Sequence, residues 1–192
     1  MDMKVKKKLN LKDRYNLMTR DLDWEPTYQK KTDIYPYLEY EGIKIHDWSK
    51  FEDPFRLTMD AYWKYQSEKE KKLYAIIDAF NQNNGHLQVT DARYINSLKL
   101  LLTGVSPLEY MAHRGFAHVG RQLAGAGPRV ACMMQSLDEI RHNQTQIHSM
   151  SNYNKFYNGF QNFRHQHDRV WYLSVPKSFF DDAASAGPFE LM

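Results

Sequence analysis

The chain has 192 residues, and its 26 Lys and Arg against 23 Asp and Glu give a net charge of only +3. This balance excludes the strong basic bias of a dedicated nucleic-acid-binding protein. A hydrophobic fraction of 42% and an aromatic fraction of 14% exclude a disordered chain. The single cysteine, Cys132, excludes an internal disulfide and fits a reducing compartment. No apolar run approaches the roughly 18 residues of a membrane-spanning helix, so we predict a cytoplasmic protein with no membrane or nucleic-acid partner.

The first 52 residues are predicted to lie outside the helical domain, and residues 24–51 show no helical period. Residues 1 to about 20 are rich in lysine and predict a solvated tail or one draped over a partner. The following stretch, 24–51, contains several aromatic residues, two prolines and Gly42, which is typical of an extended arm lying on a surface. We therefore predict an extended, partner-contacting arm over residues 1–52 and a helical domain over residues 53–192.

The first long helix is predicted to begin at Asp53 and Pro54, an N-cap followed by proline at the first helical position. Apolar residues then recur at three- and four-residue steps until Asn84 and Gly85 end the helix. A length of about thirty residues exceeds the ordinary mean of about 11 to 12 and indicates a bundle of long helices.

Two further long helices are predicted on either side of a glycine-rich turn at residues 123–128. The first opens with Thr90 as N-cap and contains Pro107, where we expect a kink. The second runs from about residue 129 to 157, and a short helix over 176–186 follows. The apolar stripe of the Thr90 helix consists of Tyr94, Leu98, Leu101, Leu102, Val105, Leu108, Ala112, Phe116 and Val119.

Three side chains of this predicted hairpin can meet at one point. Glu139 and His142 are three residues apart, so on a helix they share one face and can bind the same ion. Glu109 and Glu139 each lie fifteen residues from residue 124, so an antiparallel hairpin brings both carboxylates to one level, about 22 Å from the turn. Glu109 also lies on the apolar stripe, where a carboxylate needs a cation or a hydrogen-bonded partner.

An interpretation without metal stays open, because Glu-x-x-His is a weak motif and Glu139 falls on a polar stripe that can face water. The chain would then be a metal-free helical interaction module in which Glu109 pairs with an arginine such as Arg141. If a metal binds, two carboxylates and one imidazole favour iron or manganese over zinc. This set is half of the ferritin-like di-iron arrangement. The histidines expected to be surface or hydrogen-bonding residues are His113, His118, His165 and His167.

The segment Asp138-Glu139-Ile140-Arg141-His142 resembles the Asp-Glu-x-Arg-His signature of the bacterial multicomponent monooxygenases. Around it, almost the whole chain resembles the large (alpha) subunit of the multicomponent phenol hydroxylases. The blocks that carry this resemblance are Leu9-Asn10-Leu11-Lys12, Leu57-Thr58-Met59-Asp60, Ser106-Pro107-Leu108-Glu109-Tyr110 and Val170-Trp171-Tyr172-Leu173-Ser174-Val175-Pro176-Lys177-Ser178.

The resemblance implies an all-α, ferritin-like fold with a carboxylate-bridged di-iron centre that activates O2 and hydroxylates phenol and related aromatics to catechols. By the same resemblance, Glu109, Glu139 and His142 bind the first iron, and Glu139 bridges to the second. Asp138 and Arg141 match positions that orient the ligands. The residues implied to line the aromatic-substrate pocket are Val105, Leu108 and Ala112.

The resemblance also implies an NADH-dependent system of several proteins. A separate reductase carrying FAD and a 2Fe–2S cluster supplies the electrons. The other partners are a regulatory protein without cofactors and two smaller hydroxylase subunits, assembled as a dimer of heterotrimers. A subunit of a toluene-type aromatic monooxygenase is the alternative within the same class.

A di-iron site of this kind needs a further Glu and a second Glu-x-x-His, and the sequence contains no second Glu-x-x-His. Gly187 and Pro188 are typical of a helix start, so we expect the chain to be the N-terminal part of a longer subunit, inactive by itself. The alternative is a homodimer in which two copies pool Glu109, Glu139 and His142 across a two-fold axis.

Overall fold

A computed structural model of the chain describes residues 8–19, 27–34, 53, 56–123, 125–160 and 169–185. Within these ranges all regular secondary structure is helical, and no helix there combines the length and apolar character needed to cross a membrane. The elements are α1 (Leu11–Thr19), α2 (Lys31–Ile34), α3 (Met59–Gln82), a 3-10 turn (Gly85–Leu87), α4 (Ala92–Gln122), α5 (Ala126–Tyr153) and α6 (Trp171–Ser185). Two compact units result: Met1–Lys71 with Leu123–Arg129, and Lys72–Gln122 with Val130–Met192.

Two stretches of the predicted N-terminal arm are helical and not extended. Asn10 caps α1, since its side-chain oxygen accepts a hydrogen bond from the backbone N–H of Asp13 at 2.8 Å. Tyr15 on this helix is buried, and α2 forms a single turn. The cap and the buried ring stabilise a short helix that lysine-rich composition does not indicate. Residues 1–7, 20–26 and 35–52 lie outside the described residues, and the domain division there stays a prediction.

The helix α3 begins at Met59, five residues after the predicted first helical residue. Asp53 does accept a hydrogen bond from the N–H of Arg56 at 3.1 Å. However, Arg56 has a φ of 46°, a left-handed conformation that does not continue into a right-handed helix. The first helical hydrogen bond has the carbonyl oxygen of Thr58 as acceptor, so Thr58 is the N-cap. The N-cap predicted at Asp53 is therefore wrong, whereas the predicted end agrees with the left-handed Asn84 after the helix.

The helix α4 is capped by Asp91 and not by the predicted Thr90. The Asp91 carboxylate accepts a hydrogen bond from the backbone N–H of Arg93 at 2.8 Å, and this bond lowers the pKa of Asp91. The helix then continues without interruption through Pro107 to Gln122. A proline inside a helix removes one backbone hydrogen bond, but Pro107 does not end α4.

Both α5 and α6 begin earlier than predicted, because each accommodates a proline. Pro128 lies in the first turn of α5, where the backbone N–H groups have no acceptor within the helix. Pro176 lies further inside α6, which begins at Trp171, five residues before the predicted start. The predicted continuation of α5 to residue 157 is also wrong, since the helix ends at Tyr153 and turns follow.

The buried face of α4 consists of small residues. Its buried members are Thr103, Gly104, Ser106 and Gly120. In contrast, Tyr94 and Leu101 of the predicted apolar stripe are 57% and 60% exposed, and the other members are half-buried. The stripe is therefore wrong as a description of the inward face. Small residues occupy that face because they let a neighbouring helix approach closely.

Gly104 is the point where α6 approaches α4. A methyl group added there would lie 2.6 Å from Cδ1 of the buried Leu173, so we expect Gly104→Ala to destabilise the protein by about 1–3 kcal/mol. Gly115 is the matched control on the exposed face of α4, with no atom within 4 Å of an added methyl group. Gly115→Ala should stabilise the protein by about 1 kcal/mol. Denaturant midpoints of both variants check this prediction, and shifts of equal sign would contradict it.

Aromatic side chains at the end of α3 pack against those at the end of α5 and in the residues that follow it. The ring of Tyr153 lies 5.6 Å from the ring of Phe80 and 5.6 Å from that of Phe160, which is only 1% exposed. The hydroxyl of Tyr157 lies 3.0 Å from the carbonyl oxygen of His86, which accepts its hydrogen bond. These contacts fix the chain that follows α5 against the end of α3.

Candidate metal centre

Glu109 on α4 and the pair Glu139 and His142 on α5 lie together, as their spacing predicts. One ligand atom from each side chain lies within 4.8 Å of the other two. Nδ1 of His142 is 3.4 Å from Oε2 of Glu109 and 3.5 Å from Oε2 of Glu139. Among the residues that the structure describes, this is the one group of three such side chains that could hold a metal ion.

The two carboxylates are shielded from water, whereas the imidazole is open to it. The side chains of Glu109 and Glu139 are 22% and 13% exposed, and that of His142 is 57% exposed. The interpretation in which Glu139 faces water is therefore wrong. Shielded carboxylates are costly unless a cation or hydrogen bonds compensate their charge.

Two glutamine side chains hold the carboxylates from opposite directions. Gln135 donates a hydrogen bond to Oε1 of Glu139 one turn along α5, and Gln146 donates to Oε1 of Glu109 on the other helix at 3.4 Å. In both glutamates the second oxygen, Oε2, is the one near His142. Each carboxylate thus has one oxygen held by an amide and the other directed to the centre of the cluster. The sequence contains both glutamines on the polar stripe of the third predicted helix, but spacing by itself assigned them no role.

The two carboxylates shift each other's pKa in opposite directions. Burial raises the pKa of Glu109 above its ordinary value, and the neighbouring Glu139 raises it further. Burial by itself would also raise the pKa of Glu139, but hydrogen bonds from Glu109 and Gln135, with the attraction of His142, lower it overall. A cation placed between the oxygens would compensate the negative charge of both carboxylates.

The donor set fits a hard metal ion. In octahedral geometry, adjacent ligand atoms that lie about 2.1 Å from a metal are about 3.0 Å apart, and the separations of 3.4 and 3.5 Å require only small side-chain movements. Two carboxylates and one imidazole suit iron or manganese better than zinc. The single thiol, Cys132, is not in the group; it is half-buried, and burial raises its pKa.

The other predicted site residues lie within four positions of a cluster residue along α4 or α5. Asp138 and Arg141 are half-buried on α5, and each makes at least one hydrogen bond, ion pair or other electrostatic interaction. The residues predicted to line the pocket, all half-buried on α4 within four residues of Glu109, are Val105, Leu108 and Ala112. The roles of all five residues stay predictions.

The remaining histidines differ in their surroundings. Nδ1 of His113 lies 2.9 Å from the carbonyl oxygen of Ser136, so this residue is a hydrogen-bonding one, as expected. His118 is exposed. His165 and His167 lie outside the described residues.

The family model described as methane/phenol/alkene hydroxylase matches residues 24–192. The chain belongs to this hydroxylase family. The match covers most of the chain and includes all three members of the metal cluster. This is a family of di-iron hydroxylases. Iron is therefore the metal that the family associates with a cluster such as that of Glu109, Glu139 and His142.

Two curated relatives show how the chain relates to individual members of the family. The oxygenase component DmpN of phenol 2-monooxygenase from Pseudomonas sp. (strain CF600) is 68% identical over 187 residues, which are 97% of this chain and 36% of the relative. The alpha subunit of the oxygenase component of an alkene monooxygenase system from Xanthobacter autotrophicus is 27% identical over 180 residues, 91% of this chain and 35% of the relative. The chain therefore spans little more than a third of the length of these relatives.

A solved structure confirms the fold. The chain superposes with a TM-score of 0.83 on xenon-pressurized phenol hydroxylase from Pseudomonas sp. OX1, to which it is 70% identical. The similarity covers 96% of this chain and 37% of the other. The helices thus form part of a ferritin-like di-iron hydroxylase fold, as predicted from the resemblance.

Proposed function

We propose that the chain belongs to the oxygenase component of a multicomponent phenol hydroxylase, which converts phenol and related aromatics to catechols with NADH and O2. The observation that carries this proposal is the cluster of Glu109, Glu139 and His142, whose ligand atoms lie within 4.8 Å of one another. The relative that is 68% identical is itself named as the oxygenase component of a phenol 2-monooxygenase.

In this proposal the three residues hold the first of two iron ions. Glu139 would bridge to the second iron, whose remaining ligands come from outside the described residues. Bound iron supplies the activation of O2 and its transfer to an aromatic ring. The chain itself holds the ligands in place, since Gln135 and Gln146 each fix one carboxylate oxygen.

The neighbouring side chains have supporting roles in this proposal. Asp138 and Arg141 orient the ligands on α5. The half-buried residues of α4 on either side of Glu109 keep water from the reacting ring and bind it through apolar contacts. These pocket residues are Val105, Leu108 and Ala112.

The proposal includes a set of partner proteins in the cytoplasm. A reductase with FAD and a 2Fe–2S cluster delivers electrons from NADH. A regulatory protein and two smaller hydroxylase subunits complete a dimer of heterotrimers. Residues 1–52 form a partner-contacting arm, and residues 53–192 form the N-terminal portion of the di-iron domain.

The test uses the protein purified in its natural assembly, loaded anaerobically with ferrous iron and supplied with the reductase and NADH. We expect bound iron and the formation of catechol from phenol, with one oxygen atom derived from labelled O2. A preference for toluene over phenol would assign the chain to a toluene-type monooxygenase. Absence of iron, with unchanged partner binding in Glu139→Ala, would overturn the proposal in favour of a metal-free interaction module.

A further inference from the structure

Two polar contacts, one buried and one part-buried, join α4 and α5 on either side of the candidate metal centre. In the first, the Asn143 contact, the side-chain amide of Asn143 donates to the carbonyl oxygen of Ser106 and lies 3.2 Å from its hydroxyl. Asn143 is 8% exposed and Ser106 is 3% exposed. Because buried amide hydrogens need acceptors, this contact holds the two helices in one arrangement.

The second, the Ser136 contact, is made by Ser136 and His113. Nδ1 of His113 lies 2.9 Å from the carbonyl oxygen of Ser136 and 2.9 Å from its hydroxyl oxygen. A carbonyl can only accept, so Nδ1 carries a proton and donates it. The Ser136 hydroxyl then donates in return to the carbonyl oxygen of His113 at 3.1 Å. The two residues thus bind each other reciprocally across the helices.

These contacts flank the metal cluster symmetrically. On α4 their residues lie three positions before and four positions after Glu109, and on α5 three positions before and four positions after Glu139. Each contact is therefore one helical turn, about 5 Å along the axis, from the carboxylates. The residue numbers of Ser106 and Asn143 sum to 249, and so do those of His113 and Ser136. In two antiparallel helices, pairs with an equal sum belong to the same alignment. Both contacts therefore require the same register.

The register of α4 against α5 matters because a small shift between these helices separates the ligand atoms of the cluster. A slip by one residue moves a side chain by about 1.5 Å along the helix and turns it by about 100°. Such a change would destroy the distance of 3.4 Å between Nδ1 of His142 on α5 and Oε2 of Glu109 on α4. Apolar packing does not select one register by itself, whereas hydrogen bonds between specified atoms do.

We propose that the Asn143 contact and the Ser136 contact are positioning contacts, which fix the register of α4 against α5 and thereby set the affinity of the cluster for iron. This inference rests on the proposed function, since it assumes that iron binds there. None of the four residues contacts the cluster as a ligand, so their effect on iron passes through the helices.

A matched pair of variants tests the proposal. Asn152 is 5% exposed and exchanges hydrogen bonds with Asn81 between α5 and α3, at 2.9 and 3.2 Å. Asn143→Leu and Asn152→Leu therefore remove similar buried amides from the same helix, one beside the cluster and one away from it. Ferrous iron binding is measured anaerobically on the protein in its natural assembly, by titration calorimetry.

We expect Asn143→Leu to weaken iron binding about 10- to 100-fold. Asn152→Leu should leave it within about twofold, although it also loses stability. Equal losses of iron affinity in both variants, or an unchanged iron affinity in Asn143→Leu, would overturn the proposal. If Asn143→Leu does not fold, His113→Leu replaces it, because it removes the Nδ1 donor of the Ser136 contact, with the same expected weakening and the same opposing outcome.

Backbone hydrogen exchange separates this inference from the proposed function. Exchange of the amides of 106–113 and 136–143 should increase in metal-free Asn143→Leu and not in Asn152→Leu. If the wild-type protein binds no iron, the proposed function fails, and this exchange pattern still decides whether the contacts fix the register. An unchanged exchange rate of these amides in Asn143→Leu would show that the Asn143 contact does not fix the register.

Discussion

Glu139→Ala is expected to abolish iron binding by the protein. Oε2 of Glu139 lies 3.5 Å from Nδ1 of His142 in the cluster. Among the described residues, the cluster contains no acid besides Glu109 that could replace Glu139 as a ligand. Loss of a residue that merely supports a ligand costs about 10- to 100-fold in metal affinity, so loss of the ligand itself should cost more than about 100-fold. Iron content after anaerobic loading and the dissociation constant for ferrous iron measure the effect. Under the proposed function, hydroxylation of phenol falls with the iron content.

Two further variants make this result specific. Glu139→Gln keeps the size of the side chain but not its negative charge, and it should also lose iron, because an amide oxygen is a much weaker ligand for a divalent cation. Glu68→Ala removes an exposed carboxylate from α3 and should bind iron like the wild type. Wild-type iron content in Glu139→Ala would show that the metal is bound elsewhere.

Phe160→Ala is expected to produce the largest loss of stability. The ring of Phe160 is 1% exposed, packs 5.6 Å from the ring of Tyr153, and has the ammonium group of Lys99 5.7 Å from its centre. Truncation of a buried phenylalanine costs about 3–5 kcal/mol, because apolar surface is lost and a cavity is left. The free energy of unfolding, obtained from denaturant titration followed by circular dichroism, measures this loss.

Phe179→Ala is the matched control for that experiment. Phe179 lies on α6 and is 54% exposed, so its ring contributes little burial within the chain. We expect a change within about 0.5 kcal/mol. If the two variants were equally stable, burial of the Phe160 ring would not contribute measurably to the stability of the protein.

The position of the candidate metal centre could be predicted from the sequence. Helix geometry places residues three apart on one face, which brings Glu139 and His142 together. The equal distances of Glu109 and Glu139 from residue 124 bring the helices into register at the same level. Both arguments use local geometry that every α-helix shares, so they hold without knowledge of the packing.

Helix ends were predicted less well, because they depend on more than the identity of the capping residue. Asp53 does bind the backbone three residues on, but the positive φ of Arg56 delays the start of α3 to Met59. Pro128 favours a turn in the sequence, yet the first turn of a helix accepts a proline without loss of a hydrogen bond. In both cases the backbone conformation of the following residues decides where the helix begins.

The inward face of α4 was predicted wrongly for a related reason. A stripe defined by hydrophobicity includes Tyr94 and Leu101, which are exposed, and omits Ser106, which is buried. Which face turns inward depends on the neighbouring helices, and close approach favours small residues. The contact between Gly104 and Leu173 of α6 is an example that no periodicity within α4 contains.

The sequence by itself determined the helical character of the described chain and the three side chains that can share a cation. It did so because both depend on spacing along a helix, which the number of residues fixes. Only the tertiary structure decided that Gln146 holds Glu109, and that Asn143 pairs with Ser106, because these bonds join different helices. Partners across helices are set by the rotation and register of each helix in its packing, and these depend on contacts summed over the whole unit.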